Sequence, residues 1–246
     1  MFFLDYQLLG RIDPAQVRQV MTGIAAGCRL AGCAIVGGEL AEHPGLLKPG
    51  ELEVAGFAVG IVERDAIIDG PARTRAGDVL LGLLSPGLRA NGYSLARRAL
   101  LEVGGRSLGD PAWDDAGAWT LADELLRPSV IYSPAVLAVL GSVEVHAIAH
   151  ITGGGLPGNV PRVLAEDVDA VFERHRWPVP RIFAEVQEAG GIEDDEMARV
   201  FNLGLGMVLI VPRRVVDLTL AGLTAAGQEA VVVGELVSGR RRVHFA

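Results

Sequence analysis

The chain has 246 residues, of which 50% are hydrophobic and 21% charged. That balance excludes a disordered polymer and is enough for one large domain or two modest ones, each with a buried core. The net charge of −8 argues against non-specific binding to nucleic acid or anionic membrane, although a local basic patch can still hold a phosphate.

Met1 to Tyr6 reads as a strand. A helix is expected from Asp13 to Leu30: Asp13-Pro14 supplies the N-cap and first-turn proline, Val17, Val20, Met21 and Ile24 the apolar stripe, and Gly32 the stop. Cys28 and Cys33 fit no metal or redox spacing and read as free thiols. A short strand, Cys33 to Val36, should end in a loop from Gly37 to Gly45. Leu52 to Val62 reads as a long strand, Arg64-Asp65 as a turn and Ile67-Ile68 as a short strand. The polar stretch Asp69 to Ala76 marks a boundary, giving a first domain over 1–68 and a second over 69–246.

In the second domain Val79 to Leu84 is an apolar strand, and the loop Ser85 to Gly92 leads into a helix from Tyr93 to Val103. Further helices are expected at Leu121 to Leu125, Pro134 to Leu140, Pro180 to Ala189, Glu196 to Phe201 and Arg213 to Ala226, the last with Val216, Leu220 and Leu223 inward. Val145 to Ala149, Ala170 to Phe172, Met207 to Val211, Val231 to Val233 and Val243 to Phe245 complete the strands. Alternating strands and helices give a mixed α/β fold. Arg240-Arg241-Arg242 reads as a solvated strand edge. Two cysteines without a signal-peptide pattern point to the cytoplasm, and no apolar run approaches the ~18 residues that span a bilayer.

Four glycine-rich segments are the candidate sites, because glycine lets backbone approach a ligand. Gly37-Gly38-Glu39 follows a strand. Glu39 and Glu42, three apart, would share one side of a helical turn and suit a magnesium ion that also holds phosphate. Ser85-Pro86-Gly87-Leu88-Arg89-Ala90-Asn91-Gly92 joins a strand to a helix, where backbone N–H groups and Arg89 can meet an anion. His150-Ile151-Thr152-Gly153-Gly154-Gly155 is the densest cluster. It is neither a dinucleotide fingerprint nor a P-loop, and His150 is a candidate base. Phe201-Asn202-Leu203-Gly204-Leu205-Gly206 places Asn202 where it can hydrogen-bond a substrate. For each segment taken alone, an ordinary glycine turn, a strand–loop–helix joint, a histidine hydrogen-bonded in place or a bulged strand start is the alternative reading, and the functional one does not outweigh it.

Their order is more specific. Gly-Gly-Glu-x-Ala-Glu-x-Pro-Gly, Ala-Gly-Phe-Ala-Val-Gly-Ile-Val-Glu, Ile-Ile-Asp-Gly, Gly-Asp-Val-Leu, Ser-x-Gly-x-x-x-Asn-Gly-Tyr-Ser-Leu, Ala-His-Ile-Thr-Gly-Gly-Gly and Glu-Met-x-Arg-x-Phe-Asn-x-Gly-x-Gly-Met occur in that sequence. From Phe2 to its end the chain resembles the aminoimidazole ribonucleotide synthetases, or phosphoribosylformylglycinamidine cyclo-ligases. The resemblance implies ATP- and magnesium-dependent cyclisation of formylglycinamidine ribonucleotide in purine biosynthesis. It also implies a homodimer and an N-terminal α/β domain followed by a larger C-terminal α/β domain.

Carried onto this chain, the resemblance puts Gly37, Gly38 and Glu39 at the nucleotide and metal. It puts Ser85, Gly87, Asn91, Thr152, Gly153, Gly154, Gly155 and Asn202 at the substrate. Members of the family carry, ahead of the segment matching Phe2, a glycine-rich stretch, Asp-Gly-Val-Gly-Thr-Lys and an Asn-Asp pair, so the N-terminal domain is expected to be truncated and turnover impaired. Leu40 stands for a usual Thr, and Arg89-Ala90 for a His-Ser pair. The alternatives are a non-catalytic shortened paralogue that binds a full-length partner, or another ATP-using relative such as a selenophosphate synthetase or thiamine-phosphate kinase.

Overall fold

In the computed structural model, which describes all 246 residues, the chain falls into two units, residues 1–67 and 68–246. The first is built on β1 (Phe2–Leu9), α1 (Pro14–Ala31), β2 (Ala34–Glu42) and β3 (Leu52–Val59). Asp13 accepts the Ala15 N–H at 2.8 Å, Pro14 needs no donor in the first turn, and Gly32 closes the helix at φ 67°. The helix carries the chain from β1 to a parallel β2, while β3 pairs antiparallel on the other side, giving the order β2-β1-β3. Gln7 of β1 reaches Met21 of α1. Alternation along the strand therefore puts Phe3, Asp5, Gln7 and Leu9 on the helix-covered face and Phe2, Leu4, Tyr6 and Leu8 on the opposite one.

Three expectations change here. β2 does not stop at Val36 but continues through Gly37, Gly38 and Glu39 to Glu42. Pairing with β1 overrides the poor strand propensity of glycine, and Gly38 must be glycine because it lies against Asp5: a Cβ there would stand 2.4 Å from Asp5 Oδ1. Ile67-Ile68 forms no strand, and β3 ends at Val59 rather than Val62.

The second unit contains a six-stranded sheet. Its strands are β4 (Val79–Leu84), β5 (Ala147–His150), β6 (Val168–Phe172), β7 (Leu205–Val211), β8 (Ala230–Ser238) and β9 (Val243–Phe245), in the order β5-β7-β4-β8-β6-β9. Every pairing is antiparallel except β6 with β9. β4 is central, which is why it reads as an unbroken apolar run. Val79, Leu81 and Leu83 pack on one face with α5 (Ser133–Leu140) and α9 (Val216–Ala225). Leu80 packs on the other with Phe172, Leu205 and Val233. Gly82 lets Leu205 and Val233 close over the strand, since a Cβ there would stand 2.7 and 2.8 Å from them.

A third apolar cluster joins α3 (Tyr93–Arg97) and its π-helical extension to Val103 with α4 (Leu121–Leu125), α7 (Arg181–Gly190) and α8 (Asp194–Val200), around Leu100, Phe183 and Phe201. Asp69 caps the short α2 (Gly70–Arg73). Another short helix, α6 (Gly155–Asn159), was not legible in the glycine cluster. Leu223 is buried and Val216 and Leu220 pack beside it, as the helical period required. Arg240 to Arg242 form the turn between β8 and the edge strand β9. No helix is long and apolar enough to cross a membrane.

Candidate functional site

Three of the four glycine-rich segments meet at one end of the second unit's sheet, each at the end of a strand. The loop 85–92 leaves β4, the loop 151–154 leaves β5, and residues 201–204 enter β7. Ser85 N donates to Gly204 O at 2.8 Å, and Ile151 N to Gly206 O at 3.0 Å. Asn202 Nδ2 donates to Gly87 O at 2.9 Å and Leu88 O at 3.3 Å, while its Oδ1 accepts from Gly204 N at 2.8 Å. That amide is buried, and both its N–H donors are used on its own chain. The sequence placed Asn202 at the substrate; in the structure it ties the 85–92 loop to the start of β7. Ser85 is likewise buried, its Oγ donating to Gly87 O at 3.2 Å.

The triple glycine divides in the same way. Gly154 has φ 102° and Gly155 has φ 57°, and a Cβ on Gly155 would stand 1.9 Å from Ala198 O. Backbone geometry and close packing demand both. Gly153 has neither constraint: its φ is ordinary, and a Cβ would meet only Asn91 Oδ1, at 3.4 Å. The buried Asn159 holds this loop. Its Nδ2 donates to Gly155 O at 2.8 Å and to Thr152 O and Gly153 O at 3.3 Å, and its Oδ1 accepts from Thr152 Oγ1 at 3.0 Å. Sequence reasoning missed that role. The available signal was an asparagine closing the glycine run.

What remains open is narrow. Asn91, half-exposed, has no protein partner for its side-chain amide. Gly153 faces it. His150 is exposed, and its Nε2 lies 2.6 Å from Arg89 Nη2. Guanidinium only donates, so this nitrogen accepts and its lone pair is occupied. Burial, and after it the Arg89 charge, holds the His150 pKa below its usual value of 6.5. Acting as a base through Nε2, as the sequence suggested, would require breaking this bond.

Arg89 itself sits at φ 65°, donates through Nη1 to Gly206 O at 2.8 Å and lies over the Tyr132 ring at 5.9 Å. Gly206 makes room for both, since a Cβ there would stand 1.9 Å from the Tyr132 hydroxyl. A separate cavity of about 640 Å3 is lined by Leu84, Ser85, Trp113, Arg127 and Arg181 among others, and includes none of the open groups. Its arginines are already paired, with Glu124 and with Asp115 and Glu185.

The fourth segment belongs to the first unit. Gly37, Gly38 and Glu39 line a cavity of about 390 Å3 with Asp5, Gln7, Val17 and Met21. Asp5 is buried, and Gln7 Nε2 donates to its Oδ2 at 2.9 Å. This carboxylate was missed because it sits inside a strand. Glu39 is exposed, with Oε1 accepting from Leu40 N at 3.0 Å; Glu42 accepts from Ile12 N. In a strand, residues three apart point to opposite faces, so Glu39 and Glu42 cannot share an ion as a helical turn would have allowed. No three His, Cys, Asp or Glu side chains come together as a metal site.

Residues 75–245 match the family model described as AIR synthase related protein, C-terminal domain. Residues 1–62 match AIR synthase related protein, N-terminal domain. A phosphoribosylformylglycinamidine cyclo-ligase of Anaeromyxobacter dehalogenans (strain 2CP-1) is 52% identical over 239 residues, 97% of this chain and 68% of that protein. Among solved structures, thiamine-monophosphate kinase from Stenotrophomonas maltophilia K279a superposes with a TM-score of 0.70 at 18% identity, over 99% of this chain and 71% of that one. The hydrogenase maturation protein HypE, solved in complex with ATP, gives 0.69 at 17% over 100% and 69%. At those identities the structures establish the fold alone.

Proposed function

Because the chain belongs to the AIR synthase related family through both its N-terminal and C-terminal domains, we propose that it is a cyclo-ligase that closes formylglycinamidine ribonucleotide to aminoimidazole ribonucleotide at the expense of ATP. The observation that carries the reading is 52% identity to a cyclo-ligase over nearly the whole chain. The meeting of the Ser85–Gly92, His150–Gly155 and Phe201–Gly206 motifs around an open Asn91 and Gly153 supports it.

Ring closure joins an amidine nitrogen to the formyl carbon of the same molecule and expels the formyl oxygen. The protein's task is to hold two ends of one substrate in reacting position and to stabilise charge on that oxygen. ATP supplies the phosphoryl group that turns the oxygen into a leaving phosphate, and magnesium offsets phosphate charge. Gly153 admits substrate to the backbone, Asn91 offers an amide donor and acceptor, and Asn202 and Asn159 keep the two loops in place. In the first unit Asp5 is the carboxylate that would hold magnesium on the helix-covered face, while Glu39, paired with Tyr6, projects from the other face and does not join it. The incompletely bonded buried carboxylate of Asp5 fits that use.

We also propose that the chain pairs with a second copy through the open face of the first unit's sheet, where Phe2, Phe57 and Val59 are exposed. Sedimentation velocity tests this, with a dimer expected and a monomer at all concentrations overturning it.

The decisive experiment mixes the protein with formylglycinamidine ribonucleotide, ATP and magnesium. ADP, phosphate and the aminoimidazole product are expected in equal amounts. Tight substrate binding without product would favour a non-catalytic binding role. ADP release that depends on thiamine phosphate or selenide instead would place the activity with the other ATP-using relatives.

A further inference from the structure

Arg89 is a cation without a counter-ion. Arg127, Arg181, Arg199, Arg213 and Arg214 each meet a carboxylate. Arg89 meets none, and the only charged or titratable groups at its guanidinium are His150 and Tyr132. It is also more than half buried, with Nε enclosed and unpaired. Taking a guanidinium out of water without an anion is unfavourable, and so is the left-handed backbone at φ 65° that places it. A protein tolerates both where the missing negative charge arrives with a ligand.

The neighbouring groups point to the same ligand. Arg89 donates to His150 Nε2, so the imidazole is neutral and carries its proton on Nδ1, where no protein group receives it. Asn91 adds an unpartnered amide, and Gly153 leaves the loop backbone uncovered. The cluster is rich in donors, has a net positive charge and contains no carboxylate.

We propose that Arg89 makes this cluster a phosphate subsite: its guanidinium supplies the charge for a phosphate group and holds His150 as a neutral Nδ1–H donor rather than a base. The assignment rests on the cyclo-ligase reading only for the source of the phosphate, which is either the phosphoribosyl end of the substrate or ATP.

The test is 15N NMR of the full chain labelled at histidine and arginine, titrated with inorganic phosphate, and then with ribose 5-phosphate or ATP as competitor. In the unliganded protein His150 is expected with Nδ1 protonated and Nε2 bare, a measurement that needs no variant. Phosphate is expected to shift both the His150 and Arg89 signals. Arg89→Met should weaken phosphate binding at least about tenfold, and Arg89→Lys should recover part of the loss. Displacement by ribose 5-phosphate assigns the subsite to the substrate, and displacement by ATP alone assigns it to the nucleotide.

A proton on His150 Nε2, phosphate binding unchanged in Arg89→Met, or no phosphate effect at these signals overturns the proposal. None of these readouts depends on turnover. A protein that binds phosphate here yet forms no aminoimidazole would sink the cyclo-ligase reading and leave the subsite standing.

Discussion

β4 in the second unit has apolar cover on both faces, whereas β1 in the first has helix α1 over one face and exposed Phe2, Phe57 and Val59 on the other. The contrast extends to the units as a whole. All three apolar clusters belong to the second, while the buried hydrophobic residues of the first are Leu8, Leu9 and Cys28. The second unit covers both faces of its central strand and leaves Arg89, Asn91 and Gly153 open at one end of the sheet. The first leaves part of one sheet face open, with Phe2, Phe57 and Val59 exposed there while Leu8 is buried. An apolar residue in a strand is therefore core in one unit and open surface in the other even where the strands look alike.

The sharpest way to break that contrast is a matched pair of substitutions. Leu81→Ala empties space at a fully buried position and should cost about 2–5 kcal/mol in urea unfolding. Phe57→Ser, at a side chain 62% exposed, should change stability by no more than ~0.5 kcal/mol while weakening self-association. Similar costs at the two sites would mean that the first unit's sheet face is covered within the chain.

A polar version of the test follows. His146 is buried with Nδ1 2.7 Å from Asp78 Oδ2 and Nε2 2.9 Å from Glu144 Oε1. Asp78 is buried too, so His146→Ala strips a partner from an enclosed carboxylate. The expected loss is about 3 kcal/mol in thermal or urea unfolding. A negligible change would show that water replaces the ring, and that the second unit is less closed than described.

Within the second unit the glycines can be sorted by the same logic. Gly155→Ala drives a Cβ into Ala198 O at a positive φ, and should cost on the order of 2–3 kcal/mol. Gly153→Ala meets no such obstacle. It should leave stability within ~1 kcal/mol yet weaken substrate binding in calorimetry, because the methyl group fills the gap toward Asn91. Equal stability losses at the two positions would make Gly153 a packing glycine and remove the argument that a ligand lies against it.

How far the sequence carried can be read from the same residues. β4 and α1 were legible because an apolar run and a capped 3.6-residue stripe are local signals. β2 was cut short because Gly37-Gly38 looks like a loop. What keeps those residues in a strand is their pairing with β1, a neighbour that sequence does not place. The error propagated: a turn would have put Glu39 and Glu42 together, and the strand separates them. The loops of the site were found, but Asn202 and Asn159 are indistinguishable by composition from ligand-binding asparagines until their carbonyl partners are located. Arg89 and His150 are 61 positions apart in the chain, so their bond had no local trace.

The smallest expected effect concerns the end of the second unit's sheet, where one carboxylate gathers the turn between β8 and β9. Asp169 Oδ1 accepts from Arg240 N at 2.6 Å and Arg242 N at 2.7 Å, and Oδ2 lies 2.8 Å from His244 Nε2. These bonds, the two backbone donors first, lower its pKa from 3.8 to about 2. A carboxyl group with a depressed folded-state pKa stabilises the fold above its unfolded value, and that contribution is lost as pH falls through the folded one. The turn between β8 and β9 should therefore hold at pH 4 and loosen toward about pH 2, seen as loss of the downfield Arg240 and Arg242 amide signals. In Asp169→Asn the same signals should lie upfield already at neutral pH and show no acid transition. Persistence of the wild-type amide shifts in the variant would mean that β9 is held by the Phe172–Phe245 contact, whose ring centroids are 6.2 Å apart, and not by the carboxylate.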